Sequence, residues 1–129
     1  MLKYAIVDLE TTGAQASKDK ITEVGIVITD GKRILDEYSS LVNPEKSIPH
    51  YISRMTGIYD DMVKDAPKFF QIAKEVFQLT KDCIFVAHNV RFDYTFLQKE
   101  FADLGATFSR KTLCTVRLAR KMIPGHKSY

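Results

Sequence analysis

The chain has 129 residues, of which 45% are hydrophobic and 27% charged, with only 6 Gly and 4 Pro, so it is sized for one globular domain and is neither disordered, collagenous nor a linker. Its longest apolar runs, such as Tyr4 to Val7 and Val24 to Ile28, fall far below the roughly 20 residues that span a bilayer, and Met1-Leu2-Lys3 has no signal-peptide layout. A cytoplasmic protein without membrane contact is expected. The net charge of +3 is unevenly spread: no acid follows Asp103, while Arg110, Lys111, Arg117, Arg120, Lys121 and Lys127 make the end of the chain strongly basic. Such an end either meets phosphates or forms the solvated side of a helix.

Tyr4 to Leu9 reads as a strand of nearly continuous apolar residues, and Ile21 to Thr29 as a second in which Val24, Ile26 and Ile28 alternate. Asp30-Gly31 signals a hairpin into a third strand, Ile34 to Val42, which Asn43-Pro44 closes. Loop and a short helix follow. Pro67 suits a helix start, and Phe69, Ile72, Ala73, Val76 and Phe77 recur at three- and four-residue steps through about Leu79. Ile84 to Ala87 then reads as a buried strand parallel to the first, ending at His88-Asn89. A helix from about Phe92 to Leu104, capped by Gly105, and another over Thr115 to Met122 complete a mixed α/β sheet with helices covering it. Cys83 and Cys114 lack metal or redox spacing and are expected as buried free thiols.

Asp8 and Glu10 stand two apart at the end of the first strand, so the pleat sends both carboxylates to one face. Two such charges about 4 Å apart repel by roughly 4 kcal/mol at an effective dielectric near 20, which a cation, a proton or solvent must relieve. Taken alone the pair also fits two solvated acids in a loop. Asp93 neighbours Phe96 and Leu97 on its helix and needs a partner, which the free N–H groups of the helix start could equally supply. Residues just past the ends of parallel neighbours lie side by side, so Asp8, Glu10 and Asp93 are expected to meet in a hard oxygen cage for Mg²⁺ or Mn²⁺.

The run Tyr-Ala-Ile-Val-Asp8-Leu-Glu10-Thr-Thr-Gly13 and the later His88-Asn89-Val-Arg-Phe92-Asp93 resemble the first two motifs of the DEDD exonucleases, in particular the epsilon-type (DnaQ-like) proofreading subunits of bacterial DNA polymerase III. Thr56-Gly57-Ile58 resembles that family's intervening substrate-pocket segment, and Cys114-Thr115 through Lys127-Ser128-Tyr129 the stretch leading to its last motif. The resemblance implies a ribonuclease H-like fold and a 3′ to 5′ exonuclease with two divalent metal ions, Mg²⁺ or Mn²⁺, held by Asp8, Glu10 and Asp93. It also implies that Thr11 and Thr12 hold the terminal nucleotide, that Ile58 packs on its base or sugar, and that Asn89 and Phe92 shape the far side of the pocket. His88 is expected to be structural. The implied partners are single-stranded or frayed 3′ ends of DNA and a DNA polymerase subunit, in proofreading or repair.

The family's third motif, a His-x-x-x-x-Asp pattern that supplies a general base and a fourth carboxylate, has no match here: only three residues follow His126, and Asp103 is the last acid. Residues 1–129 are therefore expected to form one exonuclease domain that is incomplete at its C-terminal end, impaired in catalysis, and uncovered near the first strand. Two other functions fit the same residues. An RNA-trimming exonuclease would use the same cage, and a non-catalytic nucleic-acid or protein-binding module would keep only the fold.

Overall fold

The alternation that starts at Tyr4 forms the first strand, β1 (Tyr4–Thr11), in a computed structural model that describes residues 1–129. The pleat points Ala5, Val7 and Leu9 into the core and leaves Ile6 and Asp8 exposed on the opposite face. Strand β2 (Ile21–Thr29) pairs antiparallel with β1 and buries Val24, Ile26 and Ile28. A turn in which Asp30 Oδ1 accepts the N–H groups of Lys32 and Arg33 leads to β3 (Ile34–Leu41), a largely exposed edge strand.

Two short helices, α1 (His50–Thr56) and α2 (Asp60–Val63), gather Ile48, Ile52, Ile58 and Val63 into a small cluster of their own. The sequence pattern foresees only one of them, because helices this short carry too little periodicity to read. Helix α3 (Phe69–Leu79) follows, then β4 (Ile84–Ala87), α4 (Val90–Asp103), β5 (Thr112–Cys114) and α5 (Thr115–Met122). The sheet order is β3-β2-β1-β4-β5, with β4 parallel to β1 and β5 parallel to β4. Strand β5 was not expected. Its three residues have no alternation, and what makes them a strand is pairing with β4, in register from Phe85 opposite Thr112. No helix is long and apolar enough to cross a membrane.

Helices α3 and α4 cover one face of the sheet, and Phe69, Ile72, Val76, Phe96, Leu97 and Phe101 join Val7, Leu9 and Ile26 in the main core. Phe101 stacks on Phe108 at 4.9 Å and meets Phe69 and Phe77 edge-on, geometry that adds to the area buried. Arg110 closes this group, its guanidinium 4.6 Å from the centre of Phe77 and 4.3 Å from that of Phe108 while donating to the carbonyls of Thr80 and Phe77. Of the basic residues at the end of the chain, Arg110 is thus a packing residue and not a free charge. Cys83 is buried as expected, but Cys114 is only half-buried, and both are free thiols.

The loop between β1 and β2 is closed by Asp19. Its carboxylate accepts the Thr12 hydroxyl at 3.1 Å and the Gln15 N–H at 3.0 Å, and lies 3.4 Å from Lys46 Nζ. Burial opposes its ionisation, but these donors outweigh that and hold Asp19 below the usual carboxylate range. Gly13 permits the approach, since a Cβ there would stand 2.5 Å from Asp19 Oδ2. Replacing Asp19 with Ala strands a buried hydroxyl and a backbone N–H. Urea unfolding should show a loss of about 1–3 kcal/mol, and an unchanged midpoint would contradict the role given to this carboxylate.

Candidate active site

The parallel register sets Tyr4 opposite Ile84 and Ile6 opposite Val86, so β4 ends while β1 continues past it through Asp8–Thr11. Beyond β4 the backbone of β1 has no strand partner on that side. The chain turns sharply at Asn89, which takes a left-handed conformation with φ 67° and ψ 62°, and α4 starts at once. That conformation costs most residues roughly 1–2 kcal/mol, and Asn is among the few that adopt it readily. The turn sets the first turn of α4 against the overhanging end of β1.

Asp93 fills the gap. Its Oδ2 accepts the Leu9 N–H at 3.0 Å, and the residue is only 5% exposed. Burial pushes the Asp93 carboxyl up to about 6; the Leu9 N–H opposes this, while the negative charges of Asp8 and then Glu10 add to it. The partner that the sequence demands for Asp93 is first the backbone of β1, with the residue's own N–H in the first turn of α4 acting alongside it. Glu10 is raised as well, first by burial, then by Asp8 and by Glu23, which stands directly opposite it on β2. Glu23 went unnoticed in the sequence; only the strand register reveals it. A register shift between Glu10 and Thr11 bends β1 at this point, a feature common beside active sites.

The three acids are thus electrostatic neighbours, yet no group of three His, Cys, Asp or Glu side chains converges closely enough to hold a metal ion as the side chains stand. Like charges drive carboxylates apart when no cation lies between them. The donor set is nevertheless all oxygen and hard, which suits Mg²⁺ or Mn²⁺ and not zinc.

The other expected residues divide by exposure. Asn89 is exposed, and Phe92 is half-buried against Phe96 with ring centres 4.8 Å apart. Both line an open depression of about 340 Å³ shared with Ala14, Ala16, Arg91 and Thr95. Thr11 is buried and its hydroxyl donates to the Gly13 carbonyl at 2.6 Å. Thr12 has no exposed surface, and its hydroxyl donates to Asp19 and accepts the Lys20 N–H. Ile58 is 4% exposed and packs inward on Ile48, Ile52 and Val63. Thr12 and Ile58 are thus both buried here, Thr12 in the loop closed by Asp19 and Ile58 in the small cluster around α1 and α2. His88 Nδ1 lies 2.7 Å from Thr115 Oγ1 and ties β4 to the start of α5.

The family model described as RNase_T: Exonuclease matches residues 5–129. The chain is 41% identical over 130 residues to the 3′-5′ exonuclease DinG of Staphylococcus aureus (strain USA300), a match that covers all of this chain but 14% of that protein. Among solved structures, exonuclease X in complex with 5′ overhanging duplex DNA matches with a TM-score of 0.78 and 29% identity, covering all of this chain and 68% of the other. Escherichia coli exonuclease I in complex with a dT13 oligonucleotide matches with a TM-score of 0.84 at 15% identity, over 94% of this chain and 29% of the other.

Because the Asp93 pKa is raised, the folded chain binds this proton more tightly than the unfolded chain does. The associated stability is fully present below the unfolded value near 3.9 and is lost as pH rises through about 6. In the presence of a chelator, Asp93→Asn removes the buried charge and keeps an acceptor for Leu9, so the variant should be more stable than the parent at pH 8, by about 3 kcal/mol at most. The gain should vanish at pH 4. A variant less stable at pH 8 would contradict the burial argument.

Proposed function

Because the chain belongs to the RNase_T exonuclease family and has the ribonuclease H-like α/β fold of exonuclease I, we propose that it hydrolyses DNA phosphodiester bonds from the 3′ end, in proofreading or repair. The observation that carries this reading is the hydrogen bond from Leu9 to Asp93, which joins the two motif-bearing elements and brings Asp93 within the charge of Asp8 and Glu10. Asp8, Glu10 and Asp93 would hold two divalent ions, Mg²⁺ or Mn²⁺. When bound, such a pair supplies the Lewis acidity that activates water and stabilises the leaving 3′ oxygen during in-line displacement at phosphorus.

The chain's own residues do the positioning. The Leu9 N–H fixes Oδ2 of Asp93 and so holds the carboxylate beside the end of β1. Phe92 offers an aromatic wall to the terminal base, which gives grip without sequence preference because every base has a π-face. Asn89 is exposed on the turn into α4 and would donate to sugar or phosphate. The DNA substrate is supported by the two solved relatives, one with overhanging duplex DNA and one with dT13, and the 3′ to 5′ direction by the name of the staphylococcal relative. The resemblance of the first motif to epsilon-type subunits supports a polymerase or repair partner.

Two measurements test the reading. Calorimetry on the chain should detect Mn²⁺ binding that Asp8→Asn removes, and equal binding by the variant would overturn the ligand assignment. In the protein that carries this chain, a DNA strand blocked at its 3′ end should resist degradation with Mn²⁺ while one blocked at its 5′ end is shortened. The reverse pattern would refute the direction, and faster loss of a matched RNA strand would refute the DNA preference.

A further inference from the structure

The basic end of the chain is not used by the carboxylate site. Arg117 and Arg120 on α5, Lys127 beyond it and Arg91 on α4 line a single open cavity of about 630 Å³, and no acid contributes to its walls. The chain's ion pairs involve Lys20, Lys46, Lys68 and Lys99, so none of these four cations has a carboxylate partner. Cations forming merely a solvated helix side would diverge from one another into water. Here they come from two helices and a following segment, and they face one concavity.

Two further features make that concavity receptive to anions. Asn89 and Val90 at the start of α4, and Val116 and Arg117 at the start of α5, line the cavity together with Cys114. The positive ends of both helices therefore meet there. Aromatic surface is present as well, from Tyr94 and from Tyr129, over whose ring the Arg120 guanidinium sits at 5.9 Å. The cavity adjoins the depression that contains Phe92, since Asn89, Arg91 and Thr95 line both.

We propose that this cavity is a phosphate-binding track that holds the substrate strand on the 5′ side of its reacting 3′ end. The proposal rests on the exonuclease reading, in which the strand would run from the depression beside Phe92 across Asn89 and Arg91 at the start of α4. Arg117, Arg120 and Lys127 contact phosphates and set affinity, and they carry no sequence information. A track of this kind lets the strand stay bound while successive 3′ nucleotides are removed.

The test is binding of fluorescently labelled dT12 in EDTA, where no cleavage occurs, across 50–200 mM salt. Each phosphate contact to a single strand contributes about 0.7 to the slope of log affinity against log salt. Arg117→Gln with Arg120→Gln should lower the slope by about 1.4 and the affinity by roughly tenfold at the low-salt end. The paired Lys substitutions should retain both, and Lys32→Gln with Arg33→Gln in the distant β2–β3 turn should change neither. Both arginines are exposed, so their loss leaves the fold intact, which the thermal midpoint checks. As a second readout, dT12 should slow alkylation of Cys114, the half-buried thiol of the cavity wall. If the parent binds dT12 while the Gln pair matches it in affinity and slope, the track is wrong and the exonuclease reading stands. If the parent binds dT12 not at all, the track falls; if 3′-end cleavage is absent as well, the exonuclease reading falls with it.

Discussion

A backbone N–H left over where β1 outruns β4 governs the arrangement of this molecule. Buried amides must find an acceptor, and the Leu9 N–H finds the Asp93 carboxylate at 3.0 Å. An amide or a carbonyl would have satisfied it equally well. A carboxylate in that place adds a buried charge beside Asp8 and Glu10, which raises the Asp93 pKa to about 6 and makes the metal-free cluster less stable than an uncharged equivalent. Strain of this kind agrees with the cation site proposed for these carboxylates.

The surrounding structure serves to hold that one contact. Phe96, Leu97 and Phe101 anchor α4 in the main core directly after Asp93, so the carboxylate cannot retreat into solvent without unpacking the helix. The left-handed turn at Asn89 removes any slack between β4 and α4. On the other side, Thr12, Gly13 and Asp19 lock the end of β1 into its loop. The cations of α5 lie outside this rigid frame, around a cavity that no acid lines.

Much of this was legible in the sequence because periodicity and spacing carry it. The three opening strands, the main helices and the pairing of β4 with β1 follow from alternation and helical steps, and the pleat alone places Asp8 and Glu10 on one face. What could not be read depends on pairing and packing between distant segments. Strand β5 exists through its neighbour, and Glu23 joins the acid cluster through strand register. The burial of Thr12 in its loop and of Ile58 in the small core around α1 and α2 likewise depends on packing between segments. Arg110, counted among the free basic residues, is packed between two phenylalanine rings. The half-exposure of Cys114 arises where two helix starts converge, which no local pattern signals.

Leu9 and Asp93 join the two motifs through one hydrogen bond, in a site proposed to take a cation. The most direct measurement follows the Leu9 amide resonance by NMR through a pH titration, first in EDTA and then with Mg²⁺. A transition centred near pH 6 is expected without metal, moving to lower pH when Mg²⁺ is added. A Leu9 amide that does not titrate, or that titrates near the ordinary Asp value of about 3.9 in both conditions, would contradict it.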